Sequence, residues 1–154
     1  MIDPTDEPLS VSLDMDLTWR YAAGDAMTRF LEDVGRGRLE ASRCDVCGRR
    51  YLPPRPFCGM CRVRIDGWVA VEDTGVLEAW TVVHLPIRDG RTGEMRPSPY
   101  GMGLIHLDGA DTSLNHYLDT AEPERLTIGA RVRAVWRRDR RGAMDDILHF
   151  EVLS

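Results

Sequence analysis

Cys44, Cys47, Cys58 and Cys61 are the only cysteines of this 154-residue chain, and they fall as two C-x-x-C pairs with ten residues between them. Each pair lets a tight turn present two sulfurs to one ion, so the two together describe a tetrahedral thiolate cage. Structural zinc is the expected occupant, with iron as the rival, because geometry does not separate tetrahedral sulfur sites. Gly48, directly after the first pair, suits the open backbone of such a knuckle, and Arg62 holds the matching place after the second. Two redox pairs are the other reading, but neither opens a helix after a strand, where a thiol would be acidified. With all four thiols on metal, none remains as a nucleophile to carry an acyl group.

Arginine is the second chemical signal. The chain has 20 basic residues, every one an arginine, against 25 acids. Residues 1–35 carry 2 arginines against 8 acids, residues 36–64 carry 8 against 2, and residues 65–154 carry 10 against 15. Four thiolates on a divalent ion leave the middle segment at about +4, a basic patch between acidic neighbours. Arginine forks suit phosphate, although the same clustering serves a surface that only docks protein.

His84, His106, His116 and His149 fall one to each β-like run, Asp108 and Asp111 sit near His106, and Ser98 and Ser113 lack an elbow motif. Isolated histidines of this kind are ordinary surface or core residues, so no catalytic residue is assigned. The sequence has no Gly-rich phosphate loop and no dinucleotide fingerprint.

The elements that position these groups follow from periodicity. Leu9, Val11, Leu13, Met15 and Leu17 alternate with polar residues as an extended arm. Trp19, Ala22, Ala23, Ala26, Met27, Phe30, Leu31 and Val34 recur at helical steps, predicting a helix from about Thr18 to Val34 that is bent or divided at Gly24 and ended by Gly35 and Gly37. Pro53-Pro54-Arg55-Pro56 stiffens the loop between the cysteine pairs, either as a protrusion for a partner or simply as a structural restraint. Short β-like runs follow at Trp68–Glu72, Val76–Leu85, Tyr100–Leu107, Ser113–Leu118, Arg131–Arg137 and Ile147–Leu153, separated by turns such as Asp108-Gly109 and Arg141-Gly142. Asp89–Pro99 is the loop expected to carry function. The expected architecture is mainly β with an N-terminal helix: an arm and helix at 1–37, a rubredoxin-like zinc ribbon at 38–67 and a five-stranded OB-fold barrel at 68–154. The apolar runs are too short to span a bilayer and the N-terminus is acidic, so a cytoplasmic protein is expected.

Taken in order, the local words resemble a known family. They are Tyr21-Ala22-Ala23-Gly24-Asp25 with Arg29-Phe30; Gly37-Arg38-Leu39; Cys44-Asp45-Val46-Cys47-Gly48-Arg49; Tyr51-Leu52-Pro53-Pro54-Arg55; and Cys58-Gly59-Met60-Cys61. Gly75-Val76-Leu77, Trp80-Thr81-Val82-Val83-His84, Pro99-Tyr100 and Ile128-Gly129 continue the series. The chain is similar, from about Leu17 to Val152, to the zinc-ribbon plus OB-fold proteins grouped as domain of unknown function 35, companions of thiolase-like enzymes of acyl-CoA metabolism. The resemblance implies a non-catalytic subunit of a thiolase or retro-aldolase, including enzymes that shorten steroid or aromatic side chains as CoA thioesters. It also gives Arg49, Arg50 and Arg55 a candidate role on the phosphates of coenzyme A. The arm and the face of Trp19, Met27, Phe30 and Leu31 are a candidate interface for the partner, with burial within the chain the equal alternative. The alternative is a nucleic-acid-binding module, which the acidic barrel and its separated aromatics fit poorly.

Overall fold

The computed structural model describes residues 22–88 and 93–153. The expected arm Leu9–Leu17 and the stretch Thr18–Tyr21 of the expected helix lie outside the described residues. Helix α1 spans Gly24–Gly35, so Ala22 and Ala23 stand outside it, and Gly24 at φ +72° marks its start. Left-handed backbone does not continue a helix, so Ala22 and Ala23 are not part of α1. At the other end Gly37 takes φ +73°; its N–H donates to Val34 O at 2.9 Å and the Arg38 N–H to Asp33 O at 2.9 Å, a glycine stop that satisfies the last carbonyls.

Two antiparallel sheets follow. The first has order β2-β1-β3, from β1 Leu39–Arg43, β2 Arg50–Tyr51 and β3 Gly67–Val71. The second has order β6-β5-β4-β7-β8, from β4 Thr74–Val83, β5 Tyr100–Leu107, β6 Leu114–Tyr117, β7 Arg131–Trp136 and β8 Ile147–Val152. The run Trp68–Glu72, expected among the barrel strands, becomes β3 and pairs along its whole length with β1, from Leu39↔Val71 to Arg43↔Gly67. Strand periodicity reports that a segment is extended and not which edge it joins; here β1 offers a free edge that β3 reaches directly from the second knuckle.

In the five-stranded sheet, register slips in β4 between Leu77 and Ala79 and in the β7–β8 pair between Val135 and Trp136 bend the strands. The outer strands β6 and β8 approach each other at the Leu118↔Phe150 bridge, where the Asp119 N–H donates to Phe150 O at 3.0 Å. Alternation places Ile105 and Leu107 of β5 and Val132 and Ala134 of β7 inside, while Arg131 and Arg133 point out. The core does not stop at the ribbon: Phe30 and Val34 of α1, Leu39 and Ala41 of β1, and Leu52 pack in one cluster with Leu77, Ile105, Val132, Ile147 and Phe150. A smaller cluster of Cys44, Tyr51, Cys58 and Ile65 surrounds the cysteines.

Candidate metal centre

The four cysteine sulfurs lie within 4.8 Å of one another, with Cys47 Sγ and Cys58 Sγ 3.7 Å apart. A zinc–thiolate bond of about 2.3 Å gives a tetrahedral S···S edge of about 3.8 Å, so the cage has the size of one tetrahedral ion. Two equivalent knuckles build it. The Gly48 N–H donates to Cys44 O at 2.8 Å and the Arg62 N–H to Cys58 O at 2.9 Å. Cys44 N–H is held by Arg49 O and Cys58 N–H by Val63 O, both at 2.9 Å. Gly48 sits at φ +74° and Arg62 at φ +59°, the same left-handed turn made once with glycine and once without it.

Tyr51 supports the cage from beneath. Its hydroxyl accepts from the Gly59 N–H at 3.1 Å and lies 3.3 Å from Cys58 Sγ, toward which it donates. That hydroxyl, with the Cys61 N–H, draws the Cys58 thiol down to about 6, whereas Cys61 is pushed up to about 12, first by its hydrogen bond with Cys47 and then by burial. Four thiols this close become four thiolates only around a cation, which is the demand that a divalent ion meets. Above the cage, Val46 (71% exposed), Met60 (70%) and Phe57 (56%) stand in solvent at or beside the knuckle tips.

The three arginines between the pairs divide. Arg49 and Arg55 converge on Tyr51, their guanidinium carbons 5.8 and 5.4 Å from its ring centre. Arg50, the neighbour of Tyr51 in β2, faces away and closes its fork on Asp111, Nε to Oδ2 at 3.1 Å and Nη2 to Oδ1 at 3.0 Å. The proline loop folds back rather than protruding along its whole length: Leu52 and Pro54 are buried, and Ser42 Oγ bonds both the N–H and the carbonyl of Arg55 at 2.9 and 3.1 Å.

The groups near His106 are used elsewhere. Asp108 pairs with Arg131 and accepts from Thr74 Oγ1 at 2.7 Å, and Asp111 belongs to Arg50. Ser113 Oγ donates to Glu78 at 2.5 Å, and the same Ser113 and Glu78 crowd one nitrogen of His106, at 3.5 and 3.3 Å. The Asp111–Thr112 contact to the ribbon and the cage-supporting role of Tyr51 were not readable in sequence; a Tyr seven residues before Cys58 carried the only local hint. No helix among the described residues is long and apolar enough to cross a membrane.

Comparison with known proteins agrees with this geometry. Residues 32–66 match the family described as ChsH2, rubredoxin-like zinc ribbon domain, and residues 68–137 match ChsH2, C-terminal OB-fold domain. A DUF35 domain-containing scaffold protein of Methanocaldococcus jannaschii is 28% identical over 109 residues, 70% of this chain and 74% of that protein. A second scaffold protein of the same description, from Methanothermobacter thermautotrophicus, is 24% identical over 117 residues, 75% of this chain and 84% of that protein. The crystal structure of a DUF35-family protein of unknown function from Sulfolobus solfataricus shares the fold, with TM-score 0.61 and 20% identity over 84% of this chain and 87% of its own. The Ltp2-ChsH2(DUF35) aldolase structure contains a chain that is 25% identical, with TM-score 0.65 over 86% of this chain and 98% of that one. Ribbon, β-sheet order and relatives all point the same way, and the chain belongs to the zinc-ribbon plus OB-fold proteins of the DUF35 family.

Proposed function

We propose that this protein is a non-catalytic, zinc-binding accessory subunit of a thiolase-like enzyme, a thiolase or a retro-aldolase, that acts in the cytoplasm on acyl-CoA thioesters such as those of steroid or aromatic side chains. The observation that carries the reading is the likeness to the chain in the Ltp2-ChsH2(DUF35) aldolase, of which 98% is matched at TM-score 0.65. The description of the curated relatives as scaffold proteins supports a supporting rather than a reacting role. All four thiols face one cage, which supports a role without a cysteine nucleophile of its own. In this reading Arg49 and Arg55, which pair with no carboxylate among the described residues, meet the phosphates of CoA, and Arg50 anchors the loop that presents them.

The test is an affinity purification of the full-length protein at moderate salt with nuclease treatment, followed by mass spectrometry. A thiolase-like protein in stoichiometric amount is the expected result. Recovery of the chain alone overturns the reading, and partners that vanish with nuclease move it to a nucleic-acid-binding module. In the purified complex, Arg49→Gln with Arg55→Gln is expected to weaken acyl-CoA binding about tenfold, the loss of a charge-assisted hydrogen bond or two, with metal content unchanged.

A further inference from the structure

A second arginine cluster is completed only in three dimensions. The turn between β7 and β8 reads Arg137-Arg138-Asp139-Arg140-Arg141, and the fold lays it against the Arg36-Gly37-Arg38 turn that ends α1. The contact is backbone-close. A Cβ on Gly35 would lie 3.0 Å from Gly142 Cα, and one on Gly37 would lie 3.2 Å from the guanidinium carbon of Arg140. Glycine at these two positions is what lets the turns touch.

The arginine turn is held from within. Asp146 is fully buried, and its Oδ2 accepts three backbone N–H groups, from Arg141 at 2.8 Å, Gly142 at 2.7 Å and Ala143 at 3.1 Å. Arg140 Nη1 donates to Arg137 O at 3.0 Å, which fixes its guanidinium over Gly37. Between the two turns lies a concavity of about 470 Å³ whose lining includes Thr28, Leu31, Glu32, Arg36, Arg140 and Arg141.

Its charges do not cancel. Arg36 shares Asp33 with Arg38, and Arg141 shares Asp145 with Arg137, so each has donors to spare. Arg140 donates to the Arg137 carbonyl and pairs with no carboxylate among the described residues. Glu32 is the one acid on the lining. Several arginine forks on one concave wall, with a threonine on the same lining, are groups of the kind that recognise tetrahedral phosphate oxygens. We infer that the concavity between the end of α1 and the β7–β8 turn binds a small molecule through a pyrophosphate or phosphomonoester group. Arg140 supplies the fork, Arg36 and Arg141 supply the flanking cations, and Leu31 gives an apolar edge to whatever carries the phosphate. The site is separate from Arg49 and Arg55 and does not depend on a partner protein.

Calorimetric titration of the zinc-loaded full-length chain with inorganic pyrophosphate at low salt tests it. Saturable one-site binding that weakens with added salt is expected. Arg140→Gln weakens it at least tenfold, Glu32→Gln strengthens it about threefold by removing the opposing charge, and Arg49→Gln with Arg55→Gln leaves it within twofold. Both single substitutions are at exposed positions, and a retained amide NMR spectrum shows that the fold is intact. Tighter binding of coenzyme A than of its 3′-dephospho form assigns the group to the phosphomonoester, and equal binding assigns it to the pyrophosphate. Absence of saturable binding, or an Arg140→Gln protein that titrates like the parent, overturns the inference. Loss confined to the Arg49 and Arg55 variant also overturns it, and failure to find a protein partner leaves it standing.

Discussion

Arg50 and Asp111 grip each other with main chain and side chain at once. The Arg50 N–H donates to Asp111 Oδ2 at 2.8 Å, its guanidinium closes on both carboxylate oxygens, and the Asp111 N–H returns to Arg50 O at 2.9 Å. The next residue repeats the arrangement: Thr112 Oγ1 accepts from the Leu52 N–H at 2.8 Å and donates to Leu52 O at 2.9 Å. Asp111 lies 61 residues beyond Arg50, so this clasp fastens the middle of the ribbon to the β5–β6 turn of the barrel.

Removing Asp111 leaves the Arg50 N–H without its carboxylate partner. Asp111→Ala is expected to lower stability by about 2 kcal/mol, the value of a charge-assisted bond with a backbone donor. Urea unfolding of Asp111→Ala, Arg50→Ala and the double variant should give a coupling of about 1 kcal/mol. A coupling near zero would show that the clasp is a surface ion pair and nothing more.

Arg62 performs a glycine's task at φ +59°. Because the left-handed turn strains a side chain by about 1 kcal/mol, Arg62→Gly should stabilise the second knuckle by about 0.5–1 kcal/mol and slow metal loss to a chelator. The reciprocal change Gly48→Arg should speed metal loss, since it adds to the first knuckle the strain that the second already bears.

Cys44→Ser, or chelation of the native protein, should release the metal and loosen the sheet β2-β1-β3 around Tyr51 and Ile65. Hydrogen exchange is the direct measurement. Amides near Cys58 and Ile65 should lose protection while those of Ile105 and Val132 keep it, because the two groups belong to different clusters. Cobalt in the native cage should give the intense visible bands of a tetrahedral thiolate site.

Gly101 faces the Leu118–Thr120 segment that follows β6 and bridges to β8. A Cβ there would stand 2.1 Å from Thr120 O and 3.2 Å from Leu118 Cβ. Gly101→Ala must push β5 away from the Leu118–Thr120 segment and is expected to destabilise by about 2 kcal/mol or more, read as a lower urea midpoint.

The carboxyl of Asp108 is held down to about 2 by the Arg131 guanidinium and then by the Thr74 hydroxyl. A depressed carboxyl stabilises the fold above the ordinary value of about 3.9 and loses that contribution as pH falls toward 2. A carbon-detected NMR titration should find Asp108 ionising near 2 in the parent and returning toward about 3.9 in Arg131→Gln. Titration at the ordinary value in the parent would show that the pair does not form.

Much of this was legible because it is local. Two C-x-x-C pairs name their own cage, alternation marks β5 and β7, and glycines close α1 where the periodicity ends. Tertiary choices were hidden. Trp68–Glu72 reads equally well as a strand of either sheet, and only pairing with β1 decides it. Arg49, Arg50 and Arg55 look alike in sequence, yet Arg50 closes on the Asp111 carboxylate, Arg49 reaches both the Tyr51 ring and the Asp111 carbonyl, and Arg55 lies over Tyr51. Net charge by segment averaged the Arg137–Arg141 turn into an acidic domain and concealed its place beside Arg36.

The shared core of α1, β1 and the barrel bears on the order of biogenesis. A newly made chain has its largest apolar cluster available before any ion arrives, whereas the cysteine cluster has little besides Tyr51 and Ile65 to hold it. Metallation then completes a molecule that is already largely folded. Without the ion, the last unfinished surface is the one that carries Val46 and Met60.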